Sequence, residues 1–141
     1  MKKILIVNAN YYKIISNNLI SNAKKRLIIK KYSVSKIDVP GVFEIPFIIR
    51  KNIKKFDGFV ALGCVIRGQT PHFDYICHSS FNAISQLTIN FNKPIGNGII
   101  TALNMAQAVN RSKKNTYKVP NKGSEAANAV ISTLNNEPKK I

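Results

Sequence analysis

His72 is one of only two histidines in the 141-residue chain, and it directly follows Arg67-Gly68-Gln69-Thr70-Pro71, a glycine-containing break after an apolar run. An imidazole exchanges protons near neutral pH, and free backbone N–H groups at a helix start favour an anion. Those two properties together suit proton transfer beside a bound anionic group, although a lone histidine at a helix start is also an ordinary surface residue. The segment Val39-Pro40-Gly41-Val42-Phe43-Glu44-Ile45-Pro46 sets a Pro-Gly turn after a strand and a carboxylate at a helix start. By itself it reads as a turn with a charge that suits the helix dipole. A third segment, Asn121-Lys122-Gly123-Ser124-Glu125-Ala126-Ala127, opens a capped helix with a small packing face. No CxxC or HExxH spacing occurs, so no metal is expected, and no activated serine or cysteine is visible.

Apolar runs alternate with helical periods, which is the pattern of an α/β fold built on a parallel sheet. Residues 4–7 form a short continuous apolar run, typical of a strand buried on both faces. Ile15, Leu19, Ala23 and Leu27, with Ile20 beside them, recur at helical spacing, and Ser16 is the expected N-cap. Residues 32–39 read as a weaker strand. Pro46 marks a helix start, with Ile45, Ile48, Ile49 and Ile53 on one face. Residues 59–66 make the clearest central strand. Phe73, Ile76, Cys77, Ser80, Ile84, Leu87 and Phe91 then fall on one helical stripe. A strand at 95–101, narrowed by Gly96 and Gly98, precedes a helix at 106–111 and a polar connector to Pro120. The last helix carries Ala126, Ala127, Val130, Ile131 and Leu134. With no repeat and no linker, residues 1–141 are expected to form one domain. Ligands of such sheets bind outside the carboxyl ends of the strands, which singles out residues 8–12, 40–44 and 66–72 and those after Thr101.

Composition narrows the classes further. Cys64 and Cys77 sit in apolar segments and read as small core residues in a reducing compartment. The apolar run at the N-terminus ends at Asn8, below the ~7–15 residues of a signal-peptide core, and the longest apolar stretch falls far short of a membrane span. A cytoplasmic protein is expected. The formal charge of +16, from 22 lysines and arginines against 6 acidic residues, suggests a nucleic-acid binder at first sight. Its lysine doublets are scattered along the chain, however, at 2–3, 24–25, 30–31, 54–55, 113–114 and 139–140. Its arginines are only Arg26, Arg50, Arg67 and Arg111. A reader of base edges concentrates its charge and favours arginine, so the charge is assigned to the Lys, Asn and Ile bias of AT-rich coding, and nucleic acid is not expected as the main ligand.

Taken together, the three segments resemble the lumazine synthase family. VPGxFEIP, GCVIRGxTPHFDY and NKGxEAA occur in the family's order and at nearly its spacing, and the resemblance covers roughly residues 3–134. It implies a flavodoxin-like three-layer sandwich, a central parallel sheet flanked by helices, with active sites between adjacent subunits of a homopentamer. It also implies a cofactor-free condensation of 5-amino-6-(D-ribitylamino)uracil with 3,4-dihydroxy-2-butanone 4-phosphate, late in riboflavin biosynthesis.

By position, the resemblance gives Tyr11 the stacking place on the pyrimidine. Val42, Phe43 and Glu44 line the ribitylamino-uracil site, with Glu44 accepting ribityl hydroxyls, and Cys64, Val65 and Ile66 offer backbone groups to the heterocycle. Gln69 and Thr70 hold the phosphate-bearing substrate, and His72 matches the proton-transfer residue. Asn97 touches the pyrimidine from the neighbouring subunit, Arg111 matches the phosphate-binding arginine, and Lys122 is the lysine of NKG. Three departures bear on substrate grip and leave the reaction class intact. Tyr12 stands where the family commonly has Asn, Asn97 replaces a ring, and Thr101-Ala102-Leu103-Asn104 lacks the usual acidic residue. The connector at 112–120 is longer than in shell-forming members and lacks glycine, which favours a pentamer over an icosahedral shell. Retention of Glu44, His72, Arg111 and Lys122 argues against a merely structural relative.

Overall fold

The computed structural model describes residues 1–113 and 119–141. Four strands, β1 (Lys3–Ala9), β2 (Ser33–Val39), β3 (Gly58–Ile66) and β4 (Ile95–Ala102), form a parallel sheet in the order β2-β1-β3-β4. Helices α1 (Lys13–Ile29), α2 (Ile45–Asn52), α3 (His72–Phe91), α4 (Met105–Ser112) and α5 (Lys122–Asn135) connect or follow them. A one-turn 3-10 segment, Val42–Glu44, precedes α2. This is the three-layer α/β architecture expected from the alternating pattern. Most of the connector at 112–120 lies outside the described residues.

The period of two along each strand sorts the core onto two faces. Ile4, Ile6, Val60, Leu62, Ile100 and Ala102 point at α1, α4 and α5. Leu5, Val7, Phe59, Ala61 and Ile99 point at α2 and α3. Residues predicted on helical stripes take these places: Ile15, Leu19, Ala23 and Leu27 are buried beneath α1, and Ile45 and Ile49 beneath α2. The long helix α3 differs. Of its predicted stripe only Ser80 and Ile84 are fully buried, so much of its apolar side lacks cover from this chain.

Two local expectations are corrected. Ser16 does not cap α1, which begins three residues earlier behind Tyr12. Its hydroxyl instead donates to the Ala9 carbonyl at 2.9 Å, satisfying the end of β1 from inside the helix. Tyr32 lies just before β2, where its hydroxyl meets Asn135 of α5.

Gly96 has a packing reason. A Cβ there would fall 2.1 Å from the Ala126 carbonyl oxygen, so α5 approaches β4 through the space a side chain would fill. Gly96→Ala is expected to force α5 off the sheet and destabilise the fold by roughly 1–3 kcal/mol. Thermal denaturation followed by circular dichroism tests this, and an unchanged melting temperature would refute the close approach.

Candidate active site

In a sheet ordered β2-β1-β3-β4 the connections leave in opposite directions from β1 and β3, opening a crevice at their carboxyl ends. A hollow of about 540 Å³ lies there. Ala9 ends β1 at its wall, and Cys64, Val65 and Ile66 close β3. Tyr11 and Tyr12 come from the turn into α1, Val42, Phe43 and Glu44 from the 3-10 segment, and His72 is the first residue of α3. Eight predicted site residues therefore meet around one cavity: Tyr11, Val42, Phe43, Glu44, Cys64, Val65, Ile66 and His72. The mixture is an exposed ring, an apolar floor, a carboxylate and an imidazole. That suits a planar polar heterocycle with hydroxyl groups.

Gly41 makes room for Glu44, since a Cβ on it would stand 3.0 Å from the Glu44 Oε2 atom. At the far rim Pro71 occupies the N-cap position of α3, where a missing N–H costs nothing. The Thr70 hydroxyl oxygen lies 3.4 Å from the His72 backbone nitrogen that donates to it. Gln69 and Thr70 are exposed on the turn beside the hollow and do not line it. That turn is braced by a contact the sequence reading passed over. The Arg67 guanidinium donates to both carboxylate oxygens of Asp74, at 2.8 and 3.4 Å, and lies 4.8 Å from the Phe73 ring centre. Its seven-residue separation across a glycine turn gave no helical or strand period to flag it.

The remaining predicted residues lie elsewhere on the chain. Asn97, Arg111 and Lys122 line a second hollow of about 260 Å³ that shares no lining residue with the first. Asn121 organises it. Its side-chain amide donates to the Ser112 and Lys113 carbonyls, both at 2.9 Å, while its oxygen accepts from Ser124 N at 3.1 Å. One buried amide thus joins the end of α4 to the start of α5 and sets Arg111 and Lys122 side by side. Lys122 also pairs with Glu125 at 3.4 Å. Asn97 Oδ1 accepts from Ile99 N at 3.1 Å. Phe81 of α3 lines this hollow too, which puts a ring beside Asn97. Phe81 lies next to Ser80 of the helical stripe and is half-buried against the core on that side of the sheet.

Neither thiol is activated as a nucleophile, since burial raises both. Both are free thiols; Cys64 is buried and Cys77 only half-buried, so the second is less of a core residue than its apolar segment suggested. Burial pushes the Cys64 thiol up to about 11. Burial also raises Tyr12, with Cys64 and Tyr11 adding to it. From an ordinary value near 9, a rise to about 11 cuts the thiolate of Cys64 by about 100-fold at pH 8, while the greater intrinsic nucleophilicity of a weaker acid returns about a tenth of that. In a Cys77→Ser protein, alkylation of Cys64 at pH 8 is expected to run about tenfold slower folded than unfolded. Mass spectrometry of iodoacetamide-treated samples measures it; equal rates would refute the shift. The sign for stability follows: a raised thiol stabilises the fold below its unfolded value and loses that contribution as pH climbs through 11.

Among the described residues no helix is long and apolar enough to cross a membrane, and no group of three His, Cys, Asp or Glu side chains could hold a metal ion. The sequence model of the family described as 6,7-dimethyl-8-ribityllumazine synthase matches residues 1–137. A 6,7-dimethyl-8-ribityllumazine synthase of Campylobacter jejuni strain RM1221 is 40% identical over 138 residues, covering 94% of this chain and 88% of its own. One of Campylobacter hominis is 39% identical over 139 residues, covering 95% and 87%. One of Bartonella tribocorum is 42% identical over 131 residues, covering 91% and 85%. A match of that extent, on a chain whose switch-point hollow gathers Glu44, His72 and the end of β3, places the protein in the 6,7-dimethyl-8-ribityllumazine synthase family.

Proposed function

We propose that this protein, a single domain over residues 1–141, condenses 5-amino-6-(D-ribitylamino)uracil with 3,4-dihydroxy-2-butanone 4-phosphate, the penultimate step of riboflavin biosynthesis. The products are 6,7-dimethyl-8-ribityllumazine, inorganic phosphate and two waters. The observation that carries the reading is the cavity at the β1/β3 switch point, with Tyr11, Glu44 and His72 around an apolar floor. The uracil's amine is already a nucleophile, so the protein needs neither a cofactor nor an activated side chain. That amine attacks the ketone carbonyl and a first water leaves to give an imine, phosphate leaves by elimination, and the second amine closes the ring with loss of a second water. Holding both reactants in contact is the main work, since well-oriented reactions reach effective molarities of ~10⁵–10⁸ M.

Within this scheme Tyr11 stacks on the pyrimidine and Glu44 accepts ribityl hydroxyls. Val42 and Phe43 line the cavity, and the backbone of Cys64, Val65 and Ile66 faces the heterocycle. His72 carries protons during imine formation and elimination. Gln69 and Thr70 meet the phosphate ester at the start of α3, where amide groups favour an anion. Arg111, with Lys122 and Asn97, belongs to the same site but arrives from the next subunit, because on one chain these residues line a separate hollow. A homopentamer of the cyclic, heterologous kind brings the two hollows face to face. The thinly covered α3 and the exposed Phe43, Phe47, Tyr75 and Ile89 supply apolar surface for that contact. The cytoplasm, which keeps the two free cysteines reduced, is the compartment we assign.

Incubating the purified protein with both substrates tests the reaction. Lumazine absorbance and fluorescence should appear together with stoichiometric phosphate, and absence of both would overturn the reading. Sedimentation at moderate salt should give a single five-subunit species; a sixty-subunit particle would reject the pentamer.

A further inference from the structure

Lysines scattered along the sequence are gathered by the fold. Each helix returns antiparallel to the strands, so helix C-termini and strand starts lie at one end of the sheet. Ser33 N donates to the Lys2 carbonyl at 2.8 Å, Asp57 N donates to the Lys3 carbonyl at 2.8 Å, and the Tyr32–Asn135 contact brings the end of α5 to the same place. Lys2, Lys30 and Lys31 line a hollow of about 440 Å³ there. Lys54 and Lys55 are exposed just before β3. Just before β4, Lys93 donates to the Phe56 carbonyl at 2.9 Å.

Most of the acidic residues are at the other end. Of the six, Asp38, Glu44, Asp74 and Glu125 lie near the carboxyl ends of the strands. The ion pairs Lys36–Asp38, Arg67–Asp74 and Lys122–Glu125, all those found among the described residues, are there too. The other two, Asp57 and the exposed Glu137 just beyond α5, lie at the amino end, where Asp57 Oδ2 accepts from Lys3 N at 2.7 Å. Cations suit helix C-termini, which accounts for some of the lysines individually. It does not account for an end where Lys2, Lys3, Lys30, Lys31, Lys54, Lys55 and Lys93 stand against Asp57 and Glu137 alone.

We propose that the amino end of the sheet is a binding face for the phosphate backbone of a nucleic-acid duplex. Four strands at ~4.8 Å spacing, with a helix layer ~10 Å thick on each side, give a face broad enough to meet both strands across one groove. Ammonium groups act as point charges on phosphate and carry no fork for base edges, so recognition is independent of sequence. Stacking on unpaired bases is not provided for, because the Tyr32 ring is half-buried and its hydroxyl is bonded to Asn135. This face lies ~30 Å from the His72 cavity, the length of a nine-residue strand, so binding and turnover are separable.

Fluorescence anisotropy with a labelled mixed-sequence duplex, at sodium chloride from about 50 to 200 mM, tests the proposal on the full chain. Binding should weaken steeply with salt. Lys30→Glu/Lys55→Glu should weaken it at least ~10-fold and flatten the salt slope. Lys13→Glu/Lys113→Glu makes the same charge change at the opposite end and should cost less than ~3-fold. Lumazine formation should survive in Lys30→Glu/Lys55→Glu. Three results would overturn the proposal: no duplex binding at the lowest salt, equal losses in the two variants, or capture by phosphatidylserine vesicles with the duplex ignored. The last would assign the face, with its neighbouring exposed Ile28 and Ile29, to a membrane surface instead.

Discussion

His72→Ala is expected to lower kcat by about 100-fold while leaving the oligomer intact. The imidazole stands at the first residue of α3 on the rim of the switch-point cavity. There it can hand a proton to the departing carbinolamine hydroxyl and take one when phosphate is eliminated. General acid–base help spans ~10²–10⁴-fold, and the low end applies because juxtaposing two reactive partners already supplies much of the acceleration. His72 is exposed and buries no packing surface, so a structural collapse would not explain the loss. Initial rates with both substrates saturating, measured from pH 5.5 to 9 beside a sedimentation profile, make the test. Turnover unchanged at every pH would remove His72 from the mechanism.

Arg111→Ala is expected to raise KM for the sugar phosphate by ~10–100-fold with little change for the uracil. A fork-shaped cation on a phosphate is a charge-assisted contact that lysine reproduces only partly, so Arg111→Lys should recover part of the loss. Equal effects on both substrates would give Arg111 another role. The same variant addresses the shared site. Arg111 and His72 line different hollows of one chain, so subunits carrying Arg111→Ala and subunits carrying His72→Ala each retain what the other lacks. In randomly mixed rings about one interface in four regains both residues, and activity should return to about that fraction of the unaltered protein's. Mixtures no more active than their components would place the two residues in separate sites.

Much of the fold was legible because it rests on local periods. The alternation of continuous apolar runs with helical stripes predicts each described strand and α-helix to within a few residues, and the carboxyl ends of the strands are where the turns form the cavity. The boundaries that were missed depend on partners remote in the sequence or on contacts that compete with a local preference. Ser16 has the chemistry of an N-cap, but the free carbonyl of Ala9 took its hydroxyl, and Tyr12 became the start of α1 without a side-chain bond. The Arg67–Asp74 brace belongs to no repeating pattern, and Phe81 fits the period of α3, but its place beside Asn97 depends on how α3 packs on β4.

The sequence by itself determined the chemistry available: one histidine after a glycine turn, one carboxylate after Pro-Gly, an arginine near the end of α4 and a lysine opening α5. Residue type and local order are enough for that, because reactivity is a property of the side chain and a turn is a property of its neighbours. Only the tertiary structure decided which of these groups meet. The β2-β1-β3-β4 order put the ends of β1 and β3 around one cavity and left Arg111 and Lys122 on another surface, since strand order is set by long-range pairing that no local pattern encodes. It also converted scattered lysines into one basic end, because parallel strands joined by returning helices bring sequence-distant helix ends to the same side of the sheet.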